Sequence, residues 1–330
     1  MEECIEFEKA LYGDDPVFLR MDIANYDFWV DRLVNLPFFR PFLLESTANL
    51  CKEYCQDPIF RGKILKQSII KSPVLIYRLF KLNIFRYEEI ECCFDGNENY
   101  MVYYYFYNMI NDFKGFIKQK ESPYDVDFSF LDDLSCFPFL IEYGYCPTSI
   151  EYVLKYDDID HLKDYISDIG SFAENEAKWS PFEWSMKPKH RGYLSFSGHF
   201  GSVKCFKQLI MCGFLIDDGV IENVIYGGSN DLIHLCIAES NNLYCLAKCA
   251  SAYCRMSFLS YLINNKIDME IAINDYYFGQ SLHVAIFQGH FSIIEFLLMK
   301  GANILALDGY LIIVFFRKLL CILHVKLEIY

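Results

Sequence analysis

The chain has 330 residues, 53% hydrophobic and 22% charged, so it can form two ordinary domains or one extended array and is not a disordered protein. Its formal charge of −14, from 44 acidic and 30 basic residues, repels phosphate backbones and disfavours nucleic acid as a partner. The 30 Phe and 25 Tyr can serve packing, partner contact or mere coding bias, and the counts alone do not decide.

The N-terminal sequence and the cysteines bear on the compartment. Residues 1–6 are acidic, where a secretory signal would be basic and then apolar. Most of the 14 cysteines lie singly in apolar stretches of a large chain, which is not the pattern of a disulfide scaffold. We therefore expect an intracellular, cytoplasmic protein whose cysteines are reduced core residues.

The N-terminal half predicts a helical region over residues 1–170. Proline, glycine and polar breaks divide its first part into several helices, at 13–16, 36–41, 57–58, 72–73 and 95–99. Between 171 and 190, a charged stretch and two prolines near Trp179 and Trp184 interrupt the hydrophobic rhythm. We interpret 171–190 as a junction before a second region.

Residues 191–310 contain an internal repeat. Gly198 and Gly289 lie in matching segments, and weaker copies begin at Gly228 and Cys254. The steps between these four anchors are 30, 26 and 35 residues, a period typical of solenoid repeats. We predict about four units over 191–310, the first ones degenerate.

The last copy shows what one unit does physically. Apolar residues line one face of a short first helix and one face of a second helix: Leu282, Ala285, Ile286, then Ile293, Ile294, Leu297 and Leu298. Gly289 falls where the chain must reverse and Gly301 closes the second helix, because glycine tolerates a positive φ. A helical hairpin cannot bury both its faces, so copies must stack into an all-α solenoid with a concave side.

This copy resembles the ankyrin repeat. The signature T-P-L-H-x-A, G-H, L-L and G-A is matched by Leu282, His283, Ala285, Gly289, His290, Leu297, Leu298, Gly301 and Ala302. Gln280 and Ser281 replace the Thr-Pro pair, and the earlier copies, at Gly198-His199 and at Gly228, lose the histidine of the first helix. The resemblance implies that His283 is a structural histidine that bridges adjacent turns.

The region before the array has a narrower resemblance. Residues 75–90 and 137–162 are similar to the helical lead-in of a large family of protist ankyrin-repeat proteins, in which degenerate repeats precede regular ones. The likeness extends over about 65–310. It implies a fold and a general binding role.

The tail, residues 311–330, lacks the ankyrin markers and begins with an apolar run, although a terminal repeat normally turns a polar face to water. Three interpretations remain open: an atypical hydrophobic cap, a membrane-touching segment, or a truncated or frame-shifted product. The run is shorter than the ~20 apolar residues of a membrane span and contains Arg317 and Lys318, which disfavours a transmembrane helix.

We find no catalytic constellation and expect no cofactor and no metal. Cys245, Cys249 and Cys254 with His234 and Cys236 form the best metal candidate, but their spacing matches no zinc module and favours core packing. Cys51 and Cys55 are interpreted in the same way.

Other polar groups also favour structural roles. Asp157, Asp158 and Asp160 lack calcium-loop spacing and favour a turn or helix start. His199 and His290 follow glycines, so we expect each imidazole to contact carbonyls at a helix end.

Recognition is therefore the predicted function. Ankyrin arrays hold partners with their loop tips and first helices, and Asp275, Tyr276, Tyr277 and Phe278 form an aromatic loop before the most regular repeat. We predict a non-catalytic scaffold that binds another protein there. The alternative is a peripheral membrane adaptor that uses the tail.

Overall fold

The chain is all-α, as predicted. The computed structural model describes residues 26–94, 99–113, 116, 136–166, 176–239, 243–265 and 276–302. These residues form helices and no strand, apart from one isolated bridge between Glu176 and Gly192. The helical-hairpin solenoid is confirmed for the described repeats.

The contacts between Cα atoms divide the chain into two compact units. Of the described residues, the N-terminal unit contains those within Met21–Tyr152 and Lys178–Lys187, and the repeat unit contains those within Val153–Ala177 and from Pro188 to Ala302. The predicted boundaries at 170 and 190 stay a prediction. Within the predicted junction, Lys178–Lys187 packs with the N-terminal helices.

The N-terminal unit is built from short helices whose ends follow local sequence signals. Asp57 accepts hydrogen bonds from the backbone N–H groups of Ile59 and Phe60, and Pro58 opens that helix. Pro73 opens the next one. In chain order the helices are α1 (Tyr26–Phe39), α2 (Leu44–Tyr54), α3 (Pro58–Lys71), α4 (Pro73–Lys81), α5 (Tyr87–Glu91), α6 (Met101–Tyr105), α7 (Phe137–Tyr143) and α8 (Ile150–Lys155), the last of which runs on into the repeat unit.

Aromatic rings form much of the core of the N-terminal unit. Phe182 is 1% exposed, and its ring centroid lies 5.5 Å from that of Phe137 and 5.9 Å from that of Tyr105. Tyr104 completes this cluster, with its ring 6.1 Å from Phe182. Edge-on contacts of this kind add to the free energy gained by burying the rings. These four aromatic residues therefore serve core packing.

The repeat unit consists of helical hairpins. Its helices are α9 (Ile159–Ile166), α10 (Tyr193–His199), α11 (Val203–Met211), α12 (Asp218–Gly227), α13 (Asn230–Glu239), α14 (Leu243–Ala252), α15 (Met256–Asn265), α16 (Tyr276–Gln288) and α17 (Phe291–Met299). The first helices stack in the order α10, α12, α14 and α16, and each second helix packs against its own first helix. This stacking buries the face that a single hairpin would leave exposed.

The tail, residues 311–330, lies outside the described residues. Among the described helices, none combines the length and the apolar character that crossing a membrane requires.

Candidate protein-binding face of the repeat unit

The turn between the two helices of each hairpin uses a left-handed residue. Gly201, Gly228 and Gly289 have φ values of 70°, 71° and 76° at this position, and Cys254 takes it with φ of 52°. The same conformation recurs upstream at Asp157, with φ of 57°, between α8 and α9. Left-handed backbone favours glycine, so the two non-glycine turns depend on the surrounding packing.

The positions of these turns correct the alignment that the sequence suggested between the first repeat copy and the last. Gly198, which the sequence aligned with Gly289, lies inside α10, and the turn glycine is Gly201. Gly198 is small for another reason: a Cβ atom there would lie 2.7 Å from Cγ2 of Val224, on the stacked helix α12. Two different constraints select glycine in this segment, and the sequence pattern could not separate them.

The residue after the turn contacts the first helix of the preceding hairpin. Nε2 of His290 lies 3.1 Å from the carbonyl oxygen of Ala252, the last residue of α14. Ser202 Oγ donates to the carbonyl of Lys155 over 3.3 Å, and Arg255 Nε donates to the carbonyl of Ile225 over 3.1 Å. Because these carbonyl groups lie in the last turns of their helices, the contacts supply hydrogen-bond donors to oxygens that lack a partner within the helix. The sequence anticipated this role for His290 and missed it for Ser202 and Arg255.

His199 lies at a different position in its hairpin. Its ring lies in the last turn of α10, stacked on Tyr226 at 4.1 Å, and its Nδ1 lies 3.3 Å from Oδ1 of Asn223. Desolvation by burial lowers the pKa of His199 to about 3, so the imidazole is neutral at neutral pH. The expected contact of His199 with helix-end carbonyls stays a prediction, since the described contact of its Nδ1 is with a side-chain amide and the residue lies before the turn rather than in it.

The markers of the last hairpin lie mostly in its core. Leu282, Ala285, Ile286, Ile293 and Leu297 are fully buried, whereas Leu298 is half-buried. His283 is also half-buried, and its Nε2 has no hydrogen-bond partner within the described part of the chain. The bridge that the resemblance implied for His283 is therefore not made by a described group. Gly301 ends this hairpin with φ of 92°, and Ala302 follows it.

The described members of the candidate metal set do not form a metal-binding cluster. Cys236, Cys249 and Cys254 are buried, His234 is exposed, and the side chain of Cys245 lies outside the described set. The described part of the chain contains no cluster of three or more His, Cys, Asp or Glu side chains that could hold a metal ion. In the N-terminal unit, burial raises the pKa of the Cys55 thiol to about 11 and raises that of the buried Cys51 thiol further. Both thiols are therefore protonated at neutral pH and are core residues.

The acidic residues between 157 and 160 lie at or near the N-termini of helices. Asp158 accepts a hydrogen bond from the backbone N–H of His161 at the start of α9. Asp157 accepts from the backbone N–H groups of Lys204 and Cys205, over 3.1 and 2.8 Å, and so caps α11 of the following hairpin. Asp160 pairs only with Lys163 on its own helix surface among the described contacts.

The predicted aromatic loop is partly a helix. Tyr276, Tyr277 and Phe278 form the first turn of α16, which corrects their assignment to a loop. Their side chains and the whole of Asp275 lie outside the described residues. In the sequence, Phe278 stands four residues before Leu282, so the apolar spacing of the first helix extends upstream of Gln280.

A described loop between repeats carries an exposed apolar residue that the sequence reasoning missed. It runs from Gly213, with φ of 94°, to Asp217, which accepts a hydrogen bond from the backbone N–H of Val220 and starts α12. Leu215 in this loop is 85% exposed, and Asp217 and Asp218 beside it are exposed acids. A glycine that ends a helix, followed by an apolar residue and a capping Asp, was the available signal.

Residues 244–298 match the family model for ankyrin repeats. The match covers the two hairpins from α14 to α17, which turn at Cys254 and Gly289. No curated protein and no solved structure matches the chain. Ankyrin repeats are in general non-catalytic modules that bind other proteins.

Proposed function

We propose that this chain is a non-catalytic scaffold that holds a partner protein on the loop tips and first helices of its ankyrin repeats. The observation that carries the proposal is the exposure of Leu215, which is 85% accessible at a loop between two hairpins. A large apolar side chain on a loop held by a rigid scaffold is a typical anchor for a partner.

The surroundings of Leu215 indicate the chemistry of the partner surface. Asp217 and Asp218 lie two and three residues further on, both exposed, and the whole chain carries a net charge of −14. An apolar pocket with basic groups at its rim would complement this loop, because opposite charges favour encounter and orientation. The aromatic residues at the start of α16 are a second candidate contact, on a later first helix.

The test is affinity capture from the native cell with identification by mass spectrometry, using the intact chain and two surface variants. Leu215→Ser removes the proposed anchor, and Met211→Ser is the matched control, since Met211 is 80% exposed on α11 outside the loop. We expect a protein that the parent and Met211→Ser capture and that Leu215→Ser loses. Capture that Leu215→Ser leaves unchanged would remove the loop from the proposal.

A third variant tests the start of α16. Tyr276, Tyr277 and Phe278 are replaced together by Ala, and circular dichroism checks that the helix content is kept. Loss of the same partner would extend the contact to this first helix. If no variant changes what is captured, the proposed face is wrong.

A further inference from the structure

Two cysteines of the N-terminal unit lie close enough to react with each other. Cys136 and Cys146 have their Sγ atoms 3.2 Å apart, and both are thiols with partly exposed side chains. A disulfide needs a sulfur–sulfur distance of about 2.05 Å, so closure requires a shift of about 1 Å, within reach of side-chain rotation.

The local fold brings the pair together. Cys136 is the N-cap residue of α7, and Gly144 ends this helix with φ of 83°, so the chain turns back after Tyr143. Cys146 follows two residues later, and its Sγ lies 3.4 Å from Oγ1 of Thr148, a hydroxyl that can donate to a thiolate. The approach of the two sulfurs is thus a product of the helix end and the returning chain.

We propose that Cys136 and Cys146 form a reversible disulfide, a modification site in which a small disulfide such as oxidised glutathione is the oxidant. One protein thiolate attacks a sulfur of the small disulfide, a mixed disulfide forms and one small thiol leaves. The second protein thiolate then attacks the protein sulfur of the mixed disulfide and displaces the other small thiol. In total two protein thiols are oxidised to one disulfide, the small disulfide is reduced to two thiols, and the two protons pass to these thiols.

The other described thiols of the N-terminal unit differ from this pair. Cys51 and Cys55 are buried, and burial raises the pKa of both. Cys92 is exposed and adjacent to Cys93 in the sequence, but neighbouring residues form a disulfide only with a strained ring. The modification of Cys92 therefore measures how readily glutathione reacts with an exposed thiol that does not easily form a disulfide, and Cys92 is the internal control.

The sequence gives the experiment a direct readout. Trypsin releases residues 121–155 as one peptide with Cys136 and Cys146 as its cysteines, and residues 87–114 as another with Cys92 and Cys93. The full chain is equilibrated with graded ratios of oxidised to reduced glutathione, the remaining thiols are blocked with an alkylating agent, and both peptides are weighed. We expect peptide 121–155 to lose two hydrogens, without a glutathione adduct, at a ratio at least about tenfold lower than the one at which peptide 87–114 is modified.

Single variants separate the two steps. In Cys136→Ser and in Cys146→Ser the remaining cysteine can proceed only to the mixed disulfide, so peptide 121–155 should retain one glutathione. The proposal is overturned if the parent peptide keeps two blockable thiols, or carries glutathione, at ratios that already modify peptide 87–114.

Discussion

At the scale of single residues, buried polar groups hold neighbouring hairpins together. Asn223 donates to the carbonyl of Gly219 on its own helix and to that of His190, over 2.9 and 3.2 Å, and its Oδ1 faces His199. The amide can therefore serve both neighbours only if Nδ1 of His199 donates to Oδ1. Protonation of the imidazole disfavours this arrangement, because a positive charge in a buried site is costly.

This arrangement makes the stability of the repeat unit depend on pH. The pKa of His199 falls from an ordinary 6.5 to about 3 because burial disfavours the charged ring. Between these values the unfolded chain binds a proton that the folded chain does not, so stability falls as the pH drops below about 6.5. We expect the parent to lose about 2 kcal/mol more than His199→Gln between pH 7 and pH 5, measured by urea unfolding.

The control for this prediction is His161→Gln. His161 is exposed, and its hydrogen bond with Asp158 raises its pKa, so protonation favours the folded chain. Replacing His161 should leave the acid-induced loss in place. An equal fall in the parent and in His199→Gln would show that His199 does not carry the effect.

At the scale of elements, hairpins help to terminate helices of their neighbours. Asp157, in the turn between α8 and α9, caps the N-terminus of α11, while Ser202, at the start of α11, donates to the end of α8. The exchange is reciprocal, and it satisfies backbone groups at both helix ends. Hairpin order along the array is thus set by polar contacts as well as by apolar stacking.

Substitution of Asp157 tests this exchange. Asp157→Ala removes the acceptor and places a residue that disfavours φ of 57° in the turn, so we expect a loss of about 2 kcal/mol. Asp157→Asn keeps an acceptor oxygen and tolerates the left-handed region, and should lose about half as much or less. Urea unfolding followed by circular dichroism measures both. The exposed Asp160→Ala is the control, and an Asp157→Ala variant as stable as this one would contradict the capping role.

At the scale of the whole molecule, the chain order and the compact units do not coincide. Lys178–Lys187 belongs to the N-terminal unit although Val153–Ala177, which precedes it, packs in the repeat unit. Phe182 anchors the segment Lys178–Lys187 in the N-terminal unit, because its ring packs against those of Phe137 and Tyr105. A boundary drawn at one point of the sequence would therefore remove part of the core of the N-terminal unit.

The size of this contribution can be measured directly. Phe182→Ala leaves a cavity among the rings, and we expect a loss of about 3–5 kcal/mol in urea unfolding. Phe139→Ala is the matched control, because Phe139 is 44% exposed on α7, and it should lose less than about 1 kcal/mol. Similar losses for the two variants would show that Lys178–Lys187 is not part of the core.

The sequence by itself determined the all-α fold class and the helical hairpin as the repeating unit. A period of three to four residues in the apolar positions specifies helices, and Gly289 and Gly301 specify where the last hairpin turns and ends. These are local properties, since a helix face and a left-handed turn depend on neighbours in the chain. For the same reason the last hairpin, which lies largely within the matched residues 244–298, is the repeat that the sequence indicates most clearly.

Only the tertiary structure decided the contacts between distant residues. Gly198 and Gly201 look alike in sequence, and it is the approach of α12 to one and the positive φ of the other that separate their roles. The cap from Asp157 and the exposure of Leu215 likewise depend on where other hairpins lie. Burial, capping across repeats and surface exposure are set by the packing of the chain against itself, so the sequence could mark the loop at Leu215 but only the fold shows that this side chain is exposed.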